Sequence, residues 1–150
     1  MNGNQIISKL PYTKPFLFVD ELLEINGSGC RGSFTFTKNM DFYKGHFKDN
    51  PVTPGVILTE CCAQIGVVCL GIYLVGKDLN SETKNLQIGM SNSKMEFLLP
   101  VFPDEKVTVT SEKLYFRFQK LKCSVKMYNT QGKLVCKGEI AGMINSGEND

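Results

Sequence analysis

Residues 55–75 read GVILTECCAQIGVVCLGIYLV. A normal strand spans about 3–10 residues, and this run is longer and apolar almost all round, so it reads as a helix buried on more than one side. Pro54 precedes it, where a helix start loses nothing by a missing N–H. About 20 apolar residues also suffice to cross a bilayer. Glu60 and Gln64 argue against that use, because an acid near the bilayer centre costs about 2.5–3.5 kcal/mol and no basic flank anchors the run. The expectation is a core helix.

Outward from the helix, the chain is strand-like. Toward the N-terminus, PFLFVDELLEI (15–25) reads as a strand between Pro15 and the turn NGSG at 26–29. Cys30, Gly32, Phe34 and Phe36 then alternate with Arg31, Ser33, Thr35 and Thr37, the period-two pattern of a half-buried strand. Beyond the helix, Leu86, Ile88 and Met90 alternate with polar or small neighbours, as do Val107 and Val109, and then Leu114, Phe116 and Phe118. Leu121, Cys123, Val125 and Met127 continue the pattern, and the turn NTQG (129–132) leads to a last strand, KLVCKGEIAGMI. Two strands, one long helix and three or four antiparallel strands form an α+β domain, a curved sheet wrapped around the helix, over residues 1–150. One sheet covers only one side of a helix that is apolar all round. A second copy of the chain can supply the remaining cover, so a homodimer is expected.

The chain of 150 residues carries 17 basic and 15 acidic groups, a net charge of +2, without a basic cluster that would suit nucleic acid. Of the six cysteines, Cys61, Cys62 and Cys69 lie in the helical run and Cys30, Cys123 and Cys136 in strand-like segments. No CxxC occurs, and one histidine serves a zinc site poorly, so six reduced thiols in a reducing compartment are expected. The opening MNGNQIISKLPYTKPF lacks the layout of a signal peptide, and a cytoplasmic location is expected.

His46 is the sole histidine, and Glu60 the sole acid of the helical run. Glu60 and Gln64 stand one turn apart on one helix face. A carboxyl among Val56, Ile57, Cys61, Val67 and Val68 is desolvated, which raises its pKa and suits a general acid; a buried glutamate paired with a base for structural reasons is the alternative. His46 lies in GHFKDNPVTPG, whose two prolines and two glycines restrict the loop, although a lone loop histidine is more often a surface residue. That loop runs into the helix start, where the N–H groups near Gly55 and Val56 can stabilise charge on a carbonyl oxygen. Together these groups suit proton removal beside a carbonyl, with departure of a group at the next carbon.

The stretch GHFKDNPVTPGVILTECCAQIG (45–66) resembles the active-site region of the hot-dog-fold 3-hydroxyacyl-[acyl-carrier-protein] dehydratases. Their pattern is Gly-His-Phe, a variable segment, Pro-Val-x-Pro-Gly, then an acid and a glutamine. LPYTKPFLFVDELLEI and QIGMSNSKMEFLLPVFPDEKVTV are similar to two further family segments. The resemblance implies that His46 and Glu60 are the catalytic pair, contributed by different subunits of a dimer. It also implies that the Gly55 N–H binds the thioester carbonyl, with Val56 and Gln64 beside the substrate. Glutamate at 60 resembles the branch that dehydrates without isomerising. An acyl carrier protein partner follows, with no cofactor beyond the phosphopantetheine arm of that carrier, and the homodimer is compatible with a trimer of dimers. The family usually has Pro-Gly where this chain has Lys48-Asp49, and His-Arg-Tyr where it has Tyr12, Thr13 and Lys14. Basic residues before the Pro-Val turn are thinned to Lys94. A hot-dog thioesterase, with the helix acid directing water, and a non-catalytic acyl-binding domain are the competing readings.

Overall fold

The computed structural model describes residues 1–79 and 86–145, with backbone alone at 77–79. Helix α1 (Gly3–Ser8) is closed by a capping box in which the Asn2 side chain accepts from the Gln5 N–H and the Gln5 side chain accepts from the Asn2 N–H. Strands β1 (Glu21–Asn26) and β2 (Gly29–Phe36) follow as a hairpin. The central helix comprises α2 (Gly55–Ala63), a π-helical stretch Gln64–Cys69, and α3 (Leu70–Leu79). Strands β3 (Gln87–Phe97), β4 (Glu105–Arg117), β5 (Lys120–Tyr128) and β6 (Leu134–Asn145) complete one antiparallel sheet in the order β1-β2-β4-β5-β6-β3. The α+β hot-dog architecture expected from the sequence is observed.

The period-two pattern of the sheet explains how it holds the helix. Leu121, Cys123, Val125 and Met127 on β5 are fully buried, as are Val107 and Val109 on β4, and they face Ile65, Val67, Cys69 and Leu70 of the helix in one core. Gly66 lets the helix approach the sheet closely. A Cβ there would lie 2.9 Å from Val125 Cγ1 and 3.0 Å from Ser111 Cβ. The π-helical stretch leaves carbonyls for other donors, and Ser111 Oγ donates to Gly66 O at 2.8 Å while Cys30 Sγ donates to Ile65 O at 3.1 Å. Gly55–Gly76 is apolar enough to cross a membrane by length and composition, yet 72% of its apolar 18-residue stretch is buried inside the fold. All six cysteines are buried and unpaired.

One expectation needs correction, and two are made more definite. Residues 15–20 are not strand; β1 begins at Glu21. The backbone of Phe16 and Phe18 bonds instead to the side chain of Gln64, with Phe18 N–H donating to Oε1 and Nε2 donating to Phe16 O. The runs at 107–110 and 114–117 lie in one strand, whose alternation changes phase at a bulge between Lys113 and Tyr115, and Phe118 falls in the turn after it. The strand expected from Leu86 begins at Gln87 and runs to Phe97 along the sheet edge, with nine of its eleven residues exposed.

Candidate active site

The His46 loop is a compact turn tied to the helix start. Phe47 and Asn50 exchange two backbone hydrogen bonds around Lys48 and Asp49, and Asp49 takes a left-handed φ of 63°. Glycine is the family's usual residue at that point, and aspartate is among the few other residues that tolerate this conformation. Val52 N–H donates to His46 O at 2.8 Å, and Thr53 N–H donates to Val101 O at 2.9 Å, so the 100–103 turn holds the approach to Gly55. The buried Tyr43 hydroxyl bonds Thr53 Oγ1 and pins the same segment.

His46 Nδ1 lies 2.9 Å from Val52 O. A carbonyl only accepts, so Nδ1 carries the hydrogen, and in the neutral ring Nε2 keeps its lone pair. The ring stacks on Phe47, with centroids 4.1 Å apart. This half-buried imidazole is held through Nδ1, and Nε2 has no hydrogen-bond partner among the described residues. Beside it, helix α2 starts at Gly55 without a side-chain cap, and the Gly55 and Val56 N–H groups find no acceptor among the described residues. A Cβ at Gly55 would lie 3.3 Å from Phe97 Cζ, so only a glycine lets that ring lean over the helix start without displacement. The Val56 side chain is 77% exposed, which leaves its N–H as the part that faces the open helix end.

Glu60 stands on the same helix, half-buried, and burial pushes its carboxyl above the usual range while a hydrogen bond from Gln64 pulls the other way. Gln64 Nε2 donates to Glu60 Oε2 at 3.0 Å. Gln64 itself is fully buried, and its oxygen accepts from Phe18 N–H at 2.8 Å. Every polar atom of this amide is therefore engaged, one of them with the carboxyl. Because Oε2 is the acceptor, a proton on the neutral acid sits on Oε1. Glu60 has no ion-pair partner among the described residues, in contrast to the structural-glutamate reading.

Glu60 lines a small cavity of about 30 Å³ with Tyr12, Ala63 and Val67 and with Ile88 and Met90 of β3. Tyr12 was not among the candidate residues. Its phenol is pushed up to about 12, first by burial and then by the nearby Glu60. No spacing rule links positions 12 and 60, so only the folded chain reveals this neighbour. A larger cleft of about 470 Å³ opens between Lys14–Phe18, β2 and Met40–Phe42, and neither His46 nor Glu60 lines it. His46 and Glu60 share no hydrogen bond or cavity within one chain among the described residues. The single chain thus brings His46 to the helix start and Glu60 to Gln64 and Tyr12, and leaves the two halves unjoined. Among the described residues there is no cluster of three or more His, Cys, Asp or Glu side chains suited to a metal.

A family model described as a FabA-like domain matches residues 10–145. A 3-hydroxyacyl-[acyl-carrier-protein] dehydratase FabZ from Geotalea uraniireducens (strain Rf4) is 34% identical over 118 residues, covering 78% of this chain and 79% of its own. A relative of the same name from Caldicellulosiruptor saccharolyticus is 32% identical over 136 residues, or 90% of this chain and 92% of its own. Among solved structures, the dehydratase heterocomplex ApeI:P from Xenorhabdus doucetiae matches with a TM-score of 0.76 at 9% identity, over 91% of this chain and 89% of that one. A hypothetical thioesterase with coenzyme A from Streptococcus pneumoniae TIGR4 gives 0.60 at 14% identity, over 83% and 84%. At such identities these two structures share the fold alone.

Proposed function

The chain belongs to the FabA-like family, and from that premise we propose the reaction and the roles of its residues. The reaction is dehydration of a (3R)-hydroxyacyl thioester on an acyl carrier protein to the trans-2-enoyl thioester, a lyase step of fatty-acid or related acyl-chain synthesis. His46 Nε2 takes a proton from C2. The electron pair of that C–H bond becomes the C2–C3 double bond, and the C3–oxygen bond breaks. Glu60 Oε1 delivers its proton to the departing hydroxyl, which leaves as water. During the step, negative charge builds on the thioester oxygen, where the open N–H groups of Gly55 and Val56 are placed to receive it. Removing a donor of this kind typically costs about 10²–10³ in rate.

The observation that carries this reading is the Glu60 carboxyl, raised by burial, aimed by Gln64 and without a basic partner among the described residues. A structural glutamate has no need of that arrangement, whereas an acid that must arrive protonated does. The competing hydrolase reading uses the helix acid and water, and leaves the fixed tautomer of His46 without a task.

The functional unit is a homodimer in which His46 of one subunit works with Glu60 of the other. Two features support it: the two side chains are unjoined within one chain, and β3 is an exposed edge strand. Such an edge carries unpaired backbone groups and readily pairs with another chain. Its inner residues Ile88 and Met90 line the Glu60 cavity, so pairing along this edge would bring a second chain toward the acid. The six buried, unpaired thiols suit the cytoplasm. Incubation with 3-hydroxybutyryl and crotonyl thioesters tests the reaction. Reversible change in enoyl absorbance with no release of free thiol is expected, and stoichiometric thiol release marks a thioesterase instead.

A further inference from the structure

The Nδ1–H of His46 is held by one peptide group, that of Val52 and Thr53. Its carbonyl accepts from Nδ1 at 2.9 Å, and its N–H donates to Val101 O at 2.9 Å. Rotation of that peptide plane breaks both bonds together. A buried side-chain pair resists the rotation. Thr53 Oγ1 is hydrogen-bonded to the Tyr43 hydroxyl, and the two residues are only 4% and 6% exposed. Neither hydroxyl has another partner among the described residues, so each is satisfied only through the other. Burial pushes the Tyr43 phenol above its ordinary value, so the pair stays neutral at working pH.

The position of Tyr43 gives this pair its effect on the base. Tyr43 lies in the short helical turn Asp41–Lys44, and His46 N–H donates to Phe42 O at 3.0 Å, so the tyrosine stands on the backbone that carries the imidazole. Thr53 stands on the backbone that carries the acceptor. The pair therefore bridges the turn at 47–51 and fixes donor and acceptor relative to each other. An imidazole released from Val52 O can move its hydrogen between its two nitrogens. A ring that carries the hydrogen on Nε2 cannot take a proton there.

We propose that Tyr43 and Thr53 are positioning residues for the base: their hydroxyl pair fixes the peptide that holds His46 Nδ1–H, and so keeps Nε2 free to take the C2 proton. The effect on rate rests on the dehydratase reading, whereas the effect on the tautomer does not. Thr53→Val keeps the shape and removes one hydroxyl, and Tyr43→Phe removes the other. Each leaves its former partner buried and unsatisfied, whereas the double variant leaves no orphan.

His46 is the only histidine, so its ring gives one pair of nitrogen-15 resonances, which distinguish a nitrogen that carries hydrogen from one that does not. At a pH where the ring is neutral, the wild type should show Nδ1–H. Tyr43→Phe and Thr53→Val should each show a mixture of tautomers. Their kcat on carrier-linked 3-hydroxybutyryl groups should fall by about 10–10²-fold with KM unchanged. Thr53→Ser keeps the hydroxyl and should recover most of both properties. The double variant should melt with the wild type and still show mixed tautomers and low kcat. Nδ1–H alone in both single variants, or wild-type kcat in either, overturns the proposal. So does a serine variant no better than valine, or a double variant with the wild-type rate. Absence of turnover in the wild type contradicts the dehydratase reading, and the tautomers then decide the positioning role on their own.

Discussion

Gln64→Leu isolates the part of the site that aims the acid. Leucine keeps the volume and deletes three hydrogen bonds, to Phe18 N–H at 2.8 Å, Phe16 O at 3.0 Å and Glu60 Oε2 at 3.0 Å. Phe18 is 1% exposed, so its N–H loses its partner where water does not reach. Leaving such a donor unsatisfied costs about 1–3 kcal/mol. Phe16 is 47% exposed, and water can replace the bond to its carbonyl. For a chain of this size each kcal/mol lowers Tm by roughly 2–4 °C, so the variant should melt about 2–12 °C below the wild type. The second consequence has a definite sign. The Gln64 bond lowers the Glu60 pKa against the larger effect of burial, so its loss drives the pKa further up. A misplaced acid should also reduce kcat by up to about 10²-fold. Infrared titration of the protonated carboxyl band that Glu60→Gln lacks, together with a melting curve, reads both effects. A Glu60 carboxyl that titrates at the same or a lower pH in the leucine variant refutes the aiming role, as does an unchanged Tm.

Other expected outcomes follow from the same geometry. Burial raises the Glu60 pKa above the ordinary 4.5, so the folded state carries a penalty that grows as pH rises from 4.5 to the raised value, and none below 4.5. Glu60→Gln should therefore be more stable to urea than the wild type at alkaline pH, with the gain vanishing below that value; a constant difference across pH contradicts the shift. Gly66→Ala places a methyl 2.9 Å from Val125 Cγ1 and 3.0 Å from Ser111 Cβ, and should cost about 1–3 kcal/mol by denaturant titration. Phe118 and Gln119 form the β4–β5 turn with φ of 52° and 63°, and Phe118 is 89% exposed. Asn-Gly at these positions should stabilise the fold by about 1–2 kcal/mol, measured the same way.

The fold was legible where periodicity and burial agree. Leu121, Cys123, Val125 and Met127 alternate in sequence and are all fully buried. The central helix was legible from length and composition because it is buried around most of its circumference. The two phases of alternation along β4 reflect its bulge at Lys113–Tyr115, which a strict period-two pattern does not foresee. The turn at Phe118–Gln119 was invisible because it uses left-handed residues without glycine, asparagine or proline. Residues 15–20 looked like strand because they open an apolar run bounded by Pro15 and the turn at 26–29; the backbone partner of Phe16 and Phe18 is a glutamine side chain 46–48 positions away. The capping box of Asn2 and Gln5 was present in the sequence and signals α1, whereas nothing local signals a π-helical stretch at Gln64. The site followed the same division. His46, Gly55 and Glu60 lie within one continuous stretch, whereas Tyr12 reaches Glu60 only through the folded chain.

The central claim is that base and acid act as a pair across two subunits. His46→Ala and Glu60→Gln should each be nearly inactive alone, with a loss of about 10²–10⁴ for the base. Mixed under conditions that exchange subunits, random pairing makes about half the dimers mixed, and each mixed dimer holds one site with both groups intact. Dehydratase activity should return to roughly a quarter of the wild-type rate. Confirmed subunit exchange with no return of activity contradicts the shared site.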